Sequence, residues 1–241
     1  MNLRGKRILV IGGSAGIGYA VAELALEAGG EVVIASSQKA RVDAGAQQLG
    51  AAVTAHQLDI TREPEVKAFF EGQHFDHVVT TAGDWAPNGG GFRTSLAELD
   101  LSSAADSFRV RFWGALAVAK HAARALTRDG SLTLTGGMVA HRPAKGACVA
   151  TSVAGAIEHL ARGLAVELAP IRVNAVVPGL IRTGIWDRIP EEHREEQLAK
   201  MTSKLLIPRI GEAQEAARSY LYLMECGYVT GQILYVEGGS R

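Results

Sequence analysis

Seven short runs of β-branched and aliphatic residues, separated by stretches with helical spacing, limit this chain to one kind of architecture. The runs are RILVI (7–11), EVVIA (31–35), AAVTAHQ (51–57), DHVVTT (76–81), SLTLT (131–135), IRVNAVV (171–177) and ILYV (233–236). They are nearly continuous in apolar or β-branched residues, the pattern of strands buried on both faces. Between them, GYAVAELALEAG and EPEVKAFFEG carry apolar residues at helical spacing, as do the longer alanine-rich stretches over 103–130 and 149–169. Elements alternating in this way predict an α/β fold, a doubly wound parallel sheet of about seven strands with helices on both faces.

A chain of 241 residues with 47% hydrophobic content can bury one substantial core, so a single domain over 1–241 is expected. Two segments break the alternation: GDWAPNGGGFRTSLAELD (83–100) after the fourth strand, and the charged amphipathic stretch 182–211 after the sixth. In an open parallel sheet ligands bind beyond the carboxyl ends of the strands, where both segments emerge. The stretch at about 183–207 is therefore expected to cover a pocket, with an ordinary surface loop as the alternative.

Twenty-five basic residues balance twenty-five acidic ones, which leaves no global field to attract nucleic acid or an anionic membrane. A small molecule is the expected partner. The apolar run near the N-terminus is too short for a signal-peptide core, and no segment approaches the roughly 20 apolar residues that span a bilayer. A cytoplasmic protein is expected. Cys148 and Cys226 lack metal-ligand or redox spacing and read as small core residues; no metal site is expected. The small faces of the alanine-rich helices suit close packing on the sheet or against a second subunit, and a homo-oligomer, dimer or tetramer, is expected.

VIGGSAGIG closes the first strand and opens the first helix, with Gly12, Gly16 and Gly18 in G-x-x-x-G-x-G spacing. Glycines there permit a tight turn and bring backbone N–H groups and a helix N-terminus to a pyrophosphate. With GGSAGIG, LDIT (58–61), TTAG (80–83), IRVNAVVPGLIRT (171–183), IPRIG (207–211) and YVTGQILYVEGG (228–239), the chain resembles the short-chain dehydrogenases/reductases over nearly its whole length. These are Rossmann-like, NAD(P)-dependent oxidoreductases. The resemblance implies that Gly12, Ser14, Gly16, Ile17 and Gly18 surround the pyrophosphate and that Asp59 and Ile60 meet the adenine. It likewise sets Ala82 and Gly83 along the adenosine, and Pro178, Gly179, Ile181 and Thr183 along the nicotinamide. Ile11 stands where the family usually has a threonine that helps hold the turn.

An acidic side chain at the end of the second strand would accept the ribose hydroxyls of NAD and repel an extra phosphate. Here the chain reads IASSQKAR: Ser36 and Ser37 are neutral donors, and Lys39 and Arg41 are cations in reach of a 2′-phosphate if they turn inward. The expected cofactor is NADP(H) rather than NAD(H). The alternative is that both cations point into solvent.

The family's chemistry uses a tyrosine as proton donor, a lysine four residues later, a serine thirteen residues earlier and an asparagine in the preceding long helix. Ungapped alignment from DGSLTLTGG through NAVVPG puts Ala150, Ala154, Gly137 and Arg111 at those four positions. The five tyrosines, Tyr19, Tyr220, Tyr222, Tyr228 and Tyr235, are too distant in sequence for a shift of one turn to restore the motif. Arg111 brings a fixed cation suited to clamping a carboxylate or phosphate, or to replacing the lost lysine charge. His141, Lys145, Thr151, Ser152 and Thr135 are the other polar residues nearby. The first two read as loop surface, Thr151 and Ser152 as helix capping or lining, and Thr135 as a backbone partner.

Three readings stand. The first is an NADP(H)-binding oxidoreductase relative with a non-standard mechanism, in which proton transfer is substrate-assisted or water-mediated and Arg111 holds a small anionic substrate. The second is a non-catalytic dinucleotide sensor or structural partner subunit. The third is an old pocket given a reaction in which no hydride moves. Cofactor binding without appreciable turnover of simple carbonyl compounds is the common expectation.

Overall fold

A computed structural model describes residues 2–83 and 94–239. The part of the 83–100 loop at 84–93 lies outside the described residues. Seven strands, β1 (Arg7–Ile11), β2 (Glu31–Ser36), β3 (Val53–Gln57), β4 (Phe75–Thr80), β5 (Leu126–Thr135), β6 (Arg172–Pro178) and β7 (Ile233–Val236), form one sheet in the order β3-β2-β1-β4-β5-β6-β7. Every pairing is parallel. The winding reverses between β1 and β4, so the crevice at the carboxyl ends of those two strands is where such a sheet receives a ligand.

Helices cover both faces, as the strand composition requires. Helix α1 (Gly16–Glu27), α2 (Lys39–Leu49) and α8 (Ala213–Glu225) bury Val21, Val42, Tyr220 and Leu223 against Ile8, Val10 and Ile34. On the other face α3 (Glu63–Phe70), α5 (Ala115–Ala122) and α6 (Cys148–Glu167) bury Val66, Val118, Ile157 and Leu164 against Leu9, Val78 and Leu132. Helix α4 (Leu101–Phe108) precedes a π-helical turn, Arg109–Gly114, and α7 (Glu191–Thr202) lies within the 182–211 stretch.

The helix expected over 103–130 is shorter and broken. It widens to π geometry at Arg109–Gly114 and ends at Ala122, after which Leu126 already pairs with Phe75. The β4–β5 ladder then skips and resumes at His77↔Ser131. Alanine, leucine and arginine in 122–128 favour helix locally, but the ladder and the burial of Leu126 win. Gly130 is required at the bulge: a Cβ there would stand 2.5 Å from Asp76 O.

The cysteines depart from expectation as well. Cys148 is exposed and Cys226 half-buried, because each sits at a helix end: Cys148 opens α6 and Cys226 caps α8. Charged and polar groups occupy the base of the sheet instead. His77 Nδ1 lies 2.9 Å from Ser131 Oγ, both buried, and the buried Arg172 guanidinium donates to the carbonyls of Leu223 and Met224 at the end of α8. Among the described residues, no helix is long and apolar enough to cross a membrane.

Candidate functional site

The glycine turn is built so that only glycine fits. Gly12 (φ 92°) and Gly16 (φ 55°) take left-handed backbone. A Cβ on Gly12 would stand 2.5 Å from Thr81 Oγ1 and 2.8 Å from Ala82 N, and one on Gly18 would overlap the Gly12 carbonyl and Thr81 Oγ1. The turn is thus pressed onto the chain leaving β4, which brings Gly12 and Gly18 together with Ala82. The hydroxyl missing at Ile11 is supplied across the sheet: Thr81 Oγ1 donates to Ile11 O at 3.3 Å, and Thr81 N to the same carbonyl at 2.8 Å. Sequence reasoning missed this exchange, because Thr81 was read only as part of a TTAG landmark.

Helix α1 starts on this turn with no side-chain cap and no acidic residue in its first turn. Its leading N–H groups and positive end of the dipole are therefore available to an anion. Ser14 lies against Gly45 of α2, where a Cβ would come within 2.9 Å of Ser14 Cα. Gly16 abuts Thr183, whose Cγ2 would be 3.2 Å from an added Cβ, so the glycine turn and the PGLIRT segment share one wall.

At the end of β2, Ser36 is half-buried and Ser37 exposed. Lys39 Nζ is turned onto Asp43, 2.7 Å and 3.0 Å from its carboxylate oxygens, an exposed pair four residues apart on α2. Both cations are thus on the exposed surface of α2, since Arg41 is exposed as well. Asp59 Oδ1 accepts from Thr61 N and Thr61 Oγ1, at 3.0 and 2.8 Å, and Ile60 is buried under Gly114.

Arg111 is 6% exposed and lies in the π-helical turn. Its guanidinium donates to Gly83 O and its aliphatic stem covers Gly83, where a Cβ would fall 2.7 Å from Arg111 Cγ. The π turn is the local distortion that aims this side chain at the β4 end, and such turns are frequent at functional sites. Across the crevice, Gly179 packs on Glu237, and Ile181 pairs with Gly211 in an isolated parallel bridge. Gly211 N donates to Leu180 O and Arg182 N to Gly211 O, tying the two ends of the 182–211 stretch together.

The three other vacated positions carry no chemistry. Gly137 is buried in extended backbone, Ala150 is half-buried and Ala154 is fully buried. Thr151 and Ser152 line α6 rather than cap it, Thr151 Oγ1 donating to Val139 O and Ser152 Oγ to Cys148 O one turn back, and Thr135 Oγ1 donates to Thr80 O at 2.6 Å. A cavity of about 510 Å³ opens between Ser95 and Leu96 on one side and Lys145, Gly146, Cys148 and Thr151 on the other; it touches none of the glycine-turn residues.

Two tyrosines from the C-terminal part of the chain do reach this end of the sheet. Tyr220 is fully buried, with its hydroxyl 2.7 Å from Thr135 Oγ1; burial holds its pKa well above the usual phenol value. Because Thr135 donates to Thr80, Tyr220 donates to Thr135, and the bond pins α8 to the ends of β4 and β5. Replacing Tyr220 with Phe is expected to lower stability by about 1 kcal/mol, the net value of one such bond; urea unfolding of the two proteins checks it. Tyr235 meets His141 and Glu158, and burial followed by the Glu158 charge raises its pKa. His141, read from sequence as loop surface, is exposed and is also hydrogen-bonded to the buried Glu158. No grouping of His, Cys, Asp or Glu among the described residues could hold a metal.

A family model described as enoyl-(acyl carrier protein) reductase matches residues 12–241. A short-chain dehydrogenase/reductase of Stachybotrys chlorohalonatus is 37% identical, over 99% of this chain and 98% of its own length. The solved reductase/Diels-Alderase of Malbranchea aurantiaca aligns with a TM-score of 0.90 at 30% identity, over 98% of this chain and 96% of that one. An NADPH-bound short chain oxidoreductase of Pseudomonas aeruginosa PAO1 containing an atypical catalytic center aligns with a TM-score of 0.89 at 26% identity, over 99% of this chain and 97% of that one.

Proposed function

The chain belongs to the short-chain dehydrogenase/reductase family, and on that premise we propose that it binds NADP(H) across the carboxyl edge of the sheet and works without the family's usual proton donor. The observation that carries this reading is the uncapped start of α1 on a turn where Gly12 and Gly18 admit no side chain. The N–H groups of Ser14, Gly16, Ile17 and Gly18 would hold the pyrophosphate. Ser36 and Ser37 would take the adenosine 2′-phosphate, with Lys39 drawn from Asp43 and Arg41 beside it; no acidic residue stands there to repel a phosphate. Asp59, Ile60, Ala82 and Gly83 would line the adenosine, and Pro178, Gly179, Ile181 and Thr183 the nicotinamide. The NADPH in the Pseudomonas relative supports the choice of dinucleotide.

When bound, the nicotinamide supplies or accepts a hydride. What this chain adds is confinement and charge. Residues 183–207, with both ends tied at Ile181 and Gly211, would cover the cleft. Arg111, buried against Gly83, supports the cofactor side of its two readings: it would restore beside the dinucleotide the charge lost at Ala154, and holding a small anionic substrate has less support. With Gly137, Ala150 and Ala154 lacking any donor, simple ketones should turn over at least ~10²-fold more slowly than in a member with the full set, since acid–base assistance alone is worth roughly 10²–10⁴.

The inert side chains at those three positions equally support a second reading, a non-catalytic sensor or structural partner subunit. The Malbranchea relative, a reductase/Diels-Alderase by name, lends support to a third, a reaction in which no hydride moves. Exposed Leu101, Trp113 and Val166 support a homo-oligomer, dimer or tetramer, and two cysteines free of disulfides accord with a cytoplasmic protein.

Calorimetric titration with NADPH and with NADH tests the proposal. NADPH is expected to bind at least ~10-fold more tightly, about 1.4 kcal/mol, and Arg41→Ala should narrow the gap. A protein that binds neither nucleotide would end the reading.

A further inference from the structure

Outside the positions the family uses, a cluster of ionisable side chains built on a buried carboxylate stands at the same end of the sheet. Glu158 lies on α6 one turn beyond Ala154 and is 3% exposed. Its Oε1 is 2.7 Å from His141 Nε2, while the Tyr235 hydroxyl is 3.2 Å from that nitrogen and 3.5 Å from Glu158 Oε2. The imidazole and phenol rings meet edge to face, with centroids 5.0 Å apart. A carboxylate this deeply buried needs partners, and both of those it has reach solvent: the His141 side chain is 35% exposed and Tyr235 43%.

The imidazole is held from several sides. His141 N donates to Met138 O at the end of a 3₁₀ turn, Met138–Ala140, and Thr151 fastens that turn to α6 through Val139 O. Four residues before His141 is Gly137, the vacated serine position. Just after it come Pro143, Ala144, Lys145 and Gly146, which line the cavity together with Thr151. Behind it, Glu158 Cγ lies 3.7 Å from where a Cβ of Gly136 would stand, and Tyr235 pairs with Val177, next to Pro178.

We propose that His141 exchanges the proton with bound substrate in place of the missing tyrosine, that Glu158 is its positioning residue, and that the substrate is an electron-poor carbonyl compound. This rests on the reading of the cleft as an NADP(H) site. With Nε2 turned to the carboxylate, the ring keeps a proton there and presents Nδ1 to a ligand. In the reductive direction a hydride forms a C–H bond at the carbonyl carbon while the π pair moves to oxygen. The Nδ1–H bond of the imidazolium breaks and an O–H bond forms; one reduced dinucleotide is consumed, and the neutral ring regains its proton from solvent. With no serine at Gly137 to polarise the oxygen, the carbonyl must already be activated, as in an α-diketone.

The test uses the full chain and 2,3-butanedione with NADPH, in single turnover. Wild type is expected to exceed the enzyme-free rate, His141→Ala to lose ~10²-fold, within the range for one acid–base group, and free imidazole to restore part of the loss in the variant alone. In the protein without nucleotide, nitrogen-15 spectra should place the neutral His141 proton on Nε2, and Glu158→Leu should abolish that preference. Calorimetry should give all three proteins the same NADPH affinity. A wild-type protein that fails to bind NADPH would overturn the dinucleotide reading and this proposal with it. Normal NADPH binding with an unimpaired His141→Ala rate, a wild-type rate no faster than solution, or a neutral ring protonated on Nδ1 would overturn this proposal alone.

Discussion

Gly18→Ala is expected to weaken NADPH binding by at least ~100-fold, about 3 kcal/mol at 1.4 kcal/mol per tenfold, and to lower the stability of the free protein. The added methyl would overlap the Gly12 carbonyl and Thr81 Oγ1. Neither can yield easily. Gly12 N is bonded to Ala35 O at 2.8 Å and Thr81 N to Ile11 O at 2.8 Å, so the turn is clasped by the strands on both sides of it. Relieving the overlap must move the turn bodily and carry the first N–H groups of α1 away from the pyrophosphate. Overpacking of this kind costs about 1–3 kcal/mol of stability. Gly227→Ala is the control: an added Cβ there meets nothing within 4 Å, and neither property should change. Calorimetry and thermal unfolding of both variants decide the matter, and a Gly18→Ala protein that binds NADPH normally would show that the turn does not touch the nucleotide.

The second large effect is a loss of stability in mild acid. His77 is 4% exposed at the base of β4, and burial, followed by the Arg172 charge, pushes its pKa down to about 4 from the usual 6.5. The unfolded chain therefore takes up a proton that the folded chain refuses. The stabilising contribution is full above about pH 6.5 and is lost as the pH falls towards 4, amounting to about 3 kcal/mol at 1.36 kcal/mol per pKa unit. Urea unfolding at pH 7.5, 5.5 and 4.5 checks it against His77→Gln, which keeps a polar partner for Ser131 but does not titrate. The wild type should lose about 2–3 kcal/mol more than the variant across that range; equal losses would mean that His77 is not the responsible group.

The sheet was legible because its strands are buried on both faces, so β-branched runs such as VVI in β2 stand out from the helices without any long-range information. The first half of β5 was not, because Leu126 joins the sheet through a pairing with the distant Phe75 that overrides a locally helical composition. The glycine turn was legible for the same reason as the sheet: its demands are local, and Gly12, Gly16 and Gly18 lie within one turn of chain. Arg111 could be placed by alignment, but its burial against Gly83 depends on a π turn that no residue pattern announced. Least legible was the His141 cluster, whose members are separated by 17 and 94 positions and meet only because α6, β7 and the loop after β5 converge. Its one sequence signal was Glu158 on the apolar side of α6, a charge where the helix should have none.

The bridge between Ile181 and Gly211 has a consequence for how this protein can diversify. With both ends of the intervening chain clasped at one point, and Leu206 and Ile207 bonded to Gly239 and Gly238 just after β7, the length and composition of residues 183–204 are decoupled from the register of β6 and β7. Closing a longer excursion costs only about 0.6 kcal/mol per doubling. Residues 183–204 are in effect an interchangeable cassette: descendants could trade them for another and acquire a new specificity while the sheet beneath stayed the same.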